Sequence, residues 1–408
     1  MSNKIRNRLL ALLCLLIFLA VGLVYYASWV VQKPFAVILI ISDELTPSSL
    51  VAARIYGGGA DNRLAIERFP ALGLLSTHSA DFAVADAASA STAIATGRKV
   101  NHKCLGQDAN GRPLKTLADL AYERGRSVGL VTNGALSDPG PAAFYAQTGE
   151  PDSADAVAMQ FVKNAAKFSL VLGGGAAHFV AEHQGGKRPD GRDLFLDLRS
   201  SGFEIVRTRA ELASTPTWRA PKIAGFFSDG PMAFAEDVAL AASQPSLAEM
   251  VSRAIQLLEV NRRGYLLIVD ASLPRQSALM NNAEQMLREI LQVDSAVSSA
   301  LAFAGENSLV VVAGRLATGG LRLNGHPFRG DRGVAIVGKN MRGIASFTWS
   351  TGPGQGSAEE PTEPSAVRLP AAIEVAEDAV VVGVGPGAEE LAGFHDHTDI
   401  FRILAKYL

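Results

Sequence analysis

The chain has 408 residues, of which 48% are hydrophobic and 19% are charged. This composition is typical of a globular α/β protein and excludes a disordered or fibrous chain. The formal net charge of −2 gives no electrostatic reason to expect a nucleic-acid partner. Of the two cysteines, Cys14 lies in the apolar N-terminal segment, so Cys104 has no disulfide partner in the remainder of the chain.

The N-terminal segment predicts a membrane anchor. A basic tail, residues 1–8, precedes a predominantly apolar run over residues 9–31 that contains no charged residue. The run is long enough to cross a bilayer, which takes about 20 residues, and is longer than the apolar core of a cleavable signal sequence. A buried helix of a soluble protein is a further alternative. The basic flank favours a cytoplasmic tail, a single-pass location in a bacterial-type inner membrane and a periplasmic main domain.

Beyond this segment, strand-like and helix-like patterns alternate along the chain. In chain order they predict a strand over residues 35–42, a helix over 116–124, a strand over 127–132, a helix over 155–166, a strand over 170–172, a helix over 246–259, a strand over 265–270, a helix over 284–304, a strand over 308–312, a last strand over 380–384 and a closing helix over 398–407 with Thr398 as N-cap. This alternation predicts a largely parallel sheet covered by helices on both faces. Residues 351–370, rich in Gly, Pro, Ser and Glu, predict a flexible loop.

Several short motifs resemble those of the alkaline phosphatase family. Residues 84–97, with the sequence VADAASASTAIATG, resemble the family's nucleophile segment, in which a serine stands where this chain has Ala87. Further segments match in the family's order: residues 40–43, 127–132, 141–146, 172–175, 245–250, 318–321 and 385–389. The resemblance implies an alkaline-phosphatase-like three-layer α/β/α sandwich over residues 35–408, with a central largely parallel sheet.

The resemblance also implies a specific chemistry. Alkaline phosphatases hold two zinc ions and one magnesium ion, and a serine attacks phosphorus while the zinc ions bind the nucleophile and leaving oxygens. By this resemblance, the magnesium-site carboxylates are retained as Asp43, Asp138 and Asp270, while Gly140 replaces a hydroxyl residue of that site. A residual Mg²⁺ site is therefore one expectation, and whether Mg²⁺ still binds is left open.

The residues that would bind zinc and phosphate are replaced as a group. Their positions are occupied by Arg275, Leu279, Arg315, Leu316, Glu374 and Pro151. Neither leucine nor arginine offers a zinc ligand, so Zn²⁺ is not expected.

Arg275 and Arg315 introduce positive charge where the family has carboxylates that bind zinc. Carboxylates left buried without zinc would be costly unless other cations lie beside them, and guanidinium groups bind carboxylates bidentately. We therefore expect both arginines to replace the zinc charge. The alternatives are that both point to solvent, or that they bind a small oxyanion.

Ser89, two positions after Ala87, is a weak candidate for a substitute nucleophile. Without zinc or a basic neighbour its hydroxyl stays protonated, and the alternative is a small residue that packs a tight strand-to-helix turn. The cluster His395, Asp396 and His397 predicts a solvated helix start rather than a metal site.

Three functions remain open at this point. The first, which we favour, is a catalytically inactive, membrane-anchored pseudophosphatase that acts as a binding or scaffold module for a protein partner or a small oxyanion. The second is an active metal-dependent phosphomonoesterase or sulfatase-type hydrolase that uses Mg²⁺ with Ser89 or an activated water. The third is a non-catalytic oxyanion sensor. Homodimer formation is suggested by family analogy alone.

Overall fold

The computed structural model describes residues 3–26, 33–218, 222–237, 242–354 and 363–408. The chain divides into two compact parts, Met1–Pro34 and Phe35–Leu408, and each is described by itself.

The first part is a helix, α1, over Asn3–Tyr25. It is long and apolar enough to cross a membrane, and an N-terminal signal sequence would pass the same test. The helix begins inside the segment predicted as a basic tail, residues 1–8. The end of the predicted span, residues 27–31, lies outside the described residues.

The second part contains the other helices and all the strands of the described residues. Its helices are α2 (Pro47–Gly58), α3 (Ala87–Thr96), α4 (Leu117–Glu123), α5 (Pro139–Ala142), α6 (Ala154–Asn164), α7 (Leu194–Ser200), α8 (Arg209–Ser214), α9 (Leu247–Leu258), α10 (Leu273–Leu279), α11 (Ala283–Phe303) and α12 (His397–Leu404). Its strands are β1 (Ala36–Ser42), β2 (Ala71–Ser76), β3 (Ser127–Ala135), β4 (Leu170–Gly174), β5 (Phe203–Val206), β6 (Lys222–Phe226), β7 (Tyr265–Ala271), β8 (Leu309–Gly314), β9 (Ala317–Thr318), β10 (Arg322–Leu323), β11 (Phe347–Gly352), β12 (Ser365–Arg368), β13 (Glu374–Val375), β14 (Ala379–Val384) and β15 (Gly393–Asp396).

Ten strands form one sheet in the order β15-β2-β14-β8-β1-β7-β3-β4-β6-β5. β14 pairs antiparallel with both of its neighbours, and the other pairings are parallel. The predicted largely parallel sheet is therefore confirmed. Two short sheets, β10-β11-β12 and β13-β9, lie outside it.

Strand β1 shows why the sheet needs helices on both faces. All of its residues are buried, and alternate side chains enter different hydrophobic cores. Ile38 and Ile40 belong to the core that includes α2, α9 and α11, whereas Val37, Leu39 and Ile41 belong to the core that includes α3, α4, α6 and α12. A strand buried on both faces reads as a continuous apolar run, and two helical layers cover it.

The C-terminal end of the chain corrects three predictions. The strand over residues 380–384 is not the last one, because β15 follows and pairs with β2 at the sheet edge. The closing helix is capped by Asp396 and not by Thr398, since Asp396 Oδ1 accepts the Thr398 N–H at 3.0 Å. His397 is fully buried, and burial lowers its pKa to about 3, so the predicted solvated helix start is wrong for this residue.

The predicted flexible loop over residues 351–370 is also partly wrong. Its first residues end β11, and β12 lies within it. The two strands pair in parallel, with Trp349 opposite Ser365 and Gly352 opposite Arg368. Residues 355–362 of the predicted loop lie outside the described residues.

Candidate functional site

The candidate site lies where the parallel strands β1, β7, β8 and β3 end. Asp43 directly follows β1, Asp270 lies near the end of β7, and Arg315 directly follows β8. The register brings these strand ends together, since Ile41 is opposite Asp270 and Ser42 is opposite Gly314. Carboxyl ends of parallel strands are the usual position of a binding site in open α/β sheets.

Arg315 forms the centre of this site. Its Nε and Nη2 donate to the two carboxylate oxygens of Asp43 at 2.7 and 2.6 Å, and its Nη1 donates to Asp270 Oδ1 at 2.6 Å. Arg315 is 1% exposed, and both aspartates are fully buried. The geometry is a bidentate fork on one carboxylate with a second carboxylate beside it, which is a strong form of charge-assisted hydrogen bonding.

The charged state of Arg315 follows from these partners. Burial alone would lower the pKa of Arg315, but the carboxylates of Asp43 and Asp270 raise it well above its ordinary value. One buried cation thus lies between two buried aspartates, and the expectation that Arg315 could point to solvent is wrong.

Polar side chains from neighbouring elements complete the hydrogen bonding. Ser91 of α3 accepts from Arg315 Nη1 at 3.1 Å and donates to the carbonyl oxygen of Ala87 at 2.6 Å. Thr132 of β3 donates to Asp270 Oδ2 at 3.1 Å. Each of the four carboxylate oxygens of Asp43 and Asp270 therefore accepts a hydrogen bond from the protein.

Gly140 in α5 leaves the space that the guanidinium occupies. A Cβ atom at this position would lie 2.1 Å from Asp270 Oδ1 and 2.3 Å from Arg315 Nη1. Both distances are far below a normal van der Waals contact. The glycine that replaces the hydroxyl residue implied by the family resemblance therefore leaves room for Arg315.

Asp138 lies at the margin of the ion cluster, which consists of Arg315, Asp43 and Asp270. Its Oδ2 accepts the Ala135 N–H at 2.8 Å. Burial raises the pKa of Asp138 to about 6, with a smaller contribution from Asp270, while Arg315 and Arg275 act in the opposite direction. Arg315 makes no hydrogen bond to Asp138 among the described residues, so the three aspartates are not equivalent.

Arg275 occupies a second, more open position on α10. Its Nη2 donates to Glu374 Oε1 at 2.5 Å, and the two side chains are 27% and 23% exposed. Glu374 is brought there by β13, which pairs with β9 and places Glu374 opposite Thr318. Arg275 and Glu374, two positions at which the resemblance implies zinc ligands, thus form an ion pair with each other.

The nucleophile position offers no hydroxyl group. Ala87 is the first residue of α3, directly after the N-cap Asp86. The hydroxyl of Ser89 donates to Asp86 Oδ1 at 2.5 Å, and Ser89 accepts the Asp86 N–H at 3.2 Å. Ser89 is 2% exposed, and its hydrogen bonds with Asp86 form a capping box at the start of α3.

The residues at the metal positions do not fit the family's metals in this arrangement. Leu279 and Leu316 carry no ligand atom. The guanidinium of Arg315 donates hydrogen bonds to the carboxylates of both Asp43 and Asp270. Within the described part of the chain, no group of three or more His, Cys, Asp or Glu side chains could hold a metal ion. The residual Mg²⁺ site therefore remains a prediction that requires Arg315 to move.

Three contributors were not predicted from the sequence. Ser91 and Thr132 bind the ion cluster, but a buried serine on a helix and a threonine on a strand carry no distinctive pattern. Glu44 follows Asp43, is 3% exposed and accepts the Thr318 N–H at 2.9 Å. Burial raises the pKa of Glu44 well above its usual value. In the sequence, only the position of Glu44 next to Asp43 could have indicated that it lies near the site.

Comparisons with known proteins identify phosphatases with similar sequences. The streptomycin-6-phosphate phosphatase of Streptomyces griseus is 29% identical over an alignment of 422 positions, which covers 91% of this chain and 90% of that protein. Alkaline phosphatase 4 of Bacillus subtilis is 29% identical over 259 residues, which cover 62% of this chain and 53% of that protein. The match therefore spans about half the length of the Bacillus protein.

Solved structures show the same fold. The alkaline phosphatase of the Antarctic bacterium TAB5 matches with a TM-score of 0.74 and 24% identity, covering 92% of this chain and 98% of that one. The Thermus thermophilus alkaline phosphatase gives a TM-score of 0.74 with 23% identity, covering 93% and 92%. A variant of the TAB5 enzyme has Mg bound in the site named M3, so metal ions are used by homologues.

The family model described as alkaline phosphatase matches residues 35–408, which include every strand of the sheet and every residue of the ion cluster. The chain therefore belongs to the alkaline phosphatase family.

Proposed function

We propose that this protein is a catalytically inactive member of its family, tethered to a membrane by α1, whose larger part acts as a binding or scaffold module. The observation that carries the proposal is the position of Arg315. Its guanidinium lies between Asp43 and Asp270 at hydrogen-bond distance from both. A permanent cation of the side chain thus lies between two carboxylates that the family resemblance assigns to metal binding, which supports the absence of a metal-dependent reaction.

The missing nucleophile supports the same conclusion. Ala87 has no group that could attack phosphorus, and the hydroxyl of Ser89 is held by Asp86. Among its described hydrogen bonds, Ser89 contacts no Lys, Arg or His side chain, and its partner Asp86 is itself held as a helix cap by the N–H groups of Ser89 and Lys103.

The two alternative functions are less well supported. An active hydrolase would require Arg315 to leave two buried carboxylates, which is costly because both would lose their cation. An oxyanion sensor would require free donors, but the side chain of Arg315 is 2% exposed and its donors face Asp43, Asp270 and Ser91. Arg275 is more open, with 27% of its side chain exposed, but its Nη2 is paired with Glu374.

The direct test is a hydrolysis assay on the purified full-length chain with Zn²⁺ and Mg²⁺ supplied. We expect no turnover of p-nitrophenyl phosphate or p-nitrophenyl sulfate above that of Asp43→Asn, with an active alkaline phosphatase assayed in parallel. Circular dichroism verifies that both preparations are folded. Turnover that Asp43→Asn or Ser89→Ala abolishes would refute the inactive assignment.

The membrane location has a separate test. The basic residues before the apolar run favour a cytoplasmic N-terminus and a periplasmic main part in a bacterial-type inner membrane. We expect the full-length chain to stay with membranes after alkaline extraction and to be digested by protease added to spheroplasts. Release of a shortened chain into the soluble fraction would instead identify residues 9–31 as a cleaved signal sequence.

A further inference from the structure

One surface loop, residues 324–346, combines exposed apolar and basic side chains. It leaves β10 and returns to β11, and its base is closed by a hydrogen bond from the Asn324 N–H to the Ser346 carbonyl oxygen at 2.6 Å. We call this segment the basic apolar loop.

Four large apolar side chains of the basic apolar loop are exposed to solvent. Phe328 is 63%, Val334 69%, Met341 85% and Ile344 49% exposed. Met341 is the most exposed large apolar side chain in the described part of the chain. Single exposed apolar residues are ordinary, but four of them on one loop provide apolar groups that a binding partner could cover.

The loop is fixed to the protein rather than loosely attached. Ile336 is 2% exposed and belongs to the hydrophobic core. The guanidinium of Arg329 pairs with Asp61 at 2.6 Å, and its carbonyl oxygen accepts the Ala60 N–H at 3.1 Å. The exposed apolar side chains are therefore displayed from an anchored segment.

The charge of the loop is positive. It contains four Lys or Arg residues against one Asp. Arg332, Lys339 and Arg342 are exposed and form no ion pair with a carboxylate of the described residues. Exposed basic residues next to apolar ones bind anionic bilayer surfaces, because the apolar groups enter the headgroup boundary while the cations contact lipid phosphates.

We propose that the basic apolar loop binds the surface of a bilayer that contains anionic phospholipid. The proposal rests on the membrane tether proposed above. A second copy of the chain is the alternative occupant, and the test below distinguishes it from a bilayer.

The test uses purified residues 35–408, which lack α1. This part has two hydrophobic cores built only from its own residues, and it corresponds to 98% of the solved TAB5 chain, so it is expected to fold alone. Co-sedimentation with vesicles of phosphatidylcholine alone, and of phosphatidylcholine with phosphatidylglycerol, measures the partition coefficient. We expect binding to the anionic vesicles and little binding to the neutral ones.

Variants assign the binding to the loop. Replacement of Arg332, Lys339 and Arg342 by Gln should lower the partition coefficient about 100-fold, at about fivefold for each cation near the surface. Met341→Ser should lower it about five- to tenfold, because one apolar side chain no longer inserts. The matched control replaces three exposed basic residues elsewhere, Lys163, Lys187 and Arg199, by Gln.

Each outcome decides the proposal. Loss of vesicle binding in the loop variants but not in the control supports it. Absence of binding by the folded wild-type domain, or equal loss in the control, overturns it. A dimer in solution that dissociates on Met341→Ser, without vesicle binding, would assign the loop to self-association instead. Because α1 is absent from this experiment, its failure leaves the tether and the inactive site untouched.

Discussion

Arg315 and Arg275 each stand where the family resemblance implies a carboxylate that binds zinc, but the protein surrounds them differently. The side chain of Arg315 is 2% exposed and contacts two buried aspartates. The side chain of Arg275 is 27% exposed and contacts one glutamate that is itself 23% exposed. The same type of substitution therefore produces a buried charge network in one case and a partly solvated ion pair in the other.

This difference teaches that burial, and not the substitution, decides what an arginine contributes. Removal of one partner from a buried ion pair leaves an uncompensated charge, whereas an exposed partner is rehydrated by water. The four predictions below test the buried surroundings of Arg315 and its contrast with Arg275, from the largest expected effect to the smallest.

Arg315→Ala should lower the free energy of unfolding by about 3–5 kcal/mol, because Asp43 and Asp270 stay buried without their cation. Urea denaturation followed by circular dichroism measures this loss. The control is Arg322→Ala, whose exposed guanidinium pairs with Glu377 at 3.2 Å and should contribute less than about 1 kcal/mol.

A loss as small for Arg315 as for Arg322 would contradict the buried network. The Arg315→Ala variant also tests the predicted Mg²⁺ site, because it frees the carboxylates of Asp43 and Asp270. Mg²⁺ should raise the Tm of this variant and leave that of the wild type unchanged. Equal Tm shifts in both proteins would show that Mg²⁺ binds beside Arg315.

Gly140→Ala should cost about 2–3 kcal/mol, because its Cβ would overlap Asp270 Oδ1 and Arg315 Nη1. A double-mutant cycle measures the coupling, and we expect the cost to fall when Arg315 is also replaced by Ala. Gly230→Ala is the matched control, since no heavy atom lies within 4 Å of a Cβ at that position. Equal costs for the two glycine variants would be inconsistent with close packing on the ion cluster.

Asp138→Asn should change the pH dependence of stability. The pKa of Asp138 is raised to about 6 in the folded chain, above its unfolded value of about 4, so the folded state binds a proton more tightly. Its contribution to stability is complete below pH ~4 and is lost as the pH rises through about 6. The variant should lack this decline and be more stable at pH 7 by on the order of 2–3 kcal/mol.

Urea denaturation of both proteins between pH 4 and pH 8 measures this effect. Parallel stability profiles would show that ionisation of Asp138 does not cost the folded state free energy. The conclusion that the three aspartates are not equivalent would then be wrong.

The smallest effect is expected at Arg275. A double-mutant cycle of Arg275→Gln and Glu374→Gln should give a coupling free energy below about 1 kcal/mol, because both side chains are partly exposed and water screens the pair. The coupling should weaken further at high salt. A coupling as large as the effect of Arg315→Ala would remove the contrast between the two positions.

Much of the fold could be predicted from local patterns. The apolar runs predicted β1 and β7 with their ends correct to one or two residues, because a strand buried on both faces must be continuously apolar. β15 was missed, since its sequence, Gly393–Asp396, contains one large apolar residue and gives no strand signal. The closing helix was predicted to be capped by Thr398 and is capped by Asp396, because local patterns place a helix start only to within one or two residues.

The sequence by itself determined which groups could be present at the site. It has Ala87 in place of a hydroxyl nucleophile, arginine at positions 275 and 315, and aspartate at positions 43, 138 and 270. Tertiary structure decided which of these groups meet. Arg315 and Asp43 are 272 residues apart in the chain, and only the parallel register of β1 beside β8 brings the guanidinium onto the carboxylate. The burial that makes this contact strong comes from the two helical layers, and no local pattern near Arg315 specifies it.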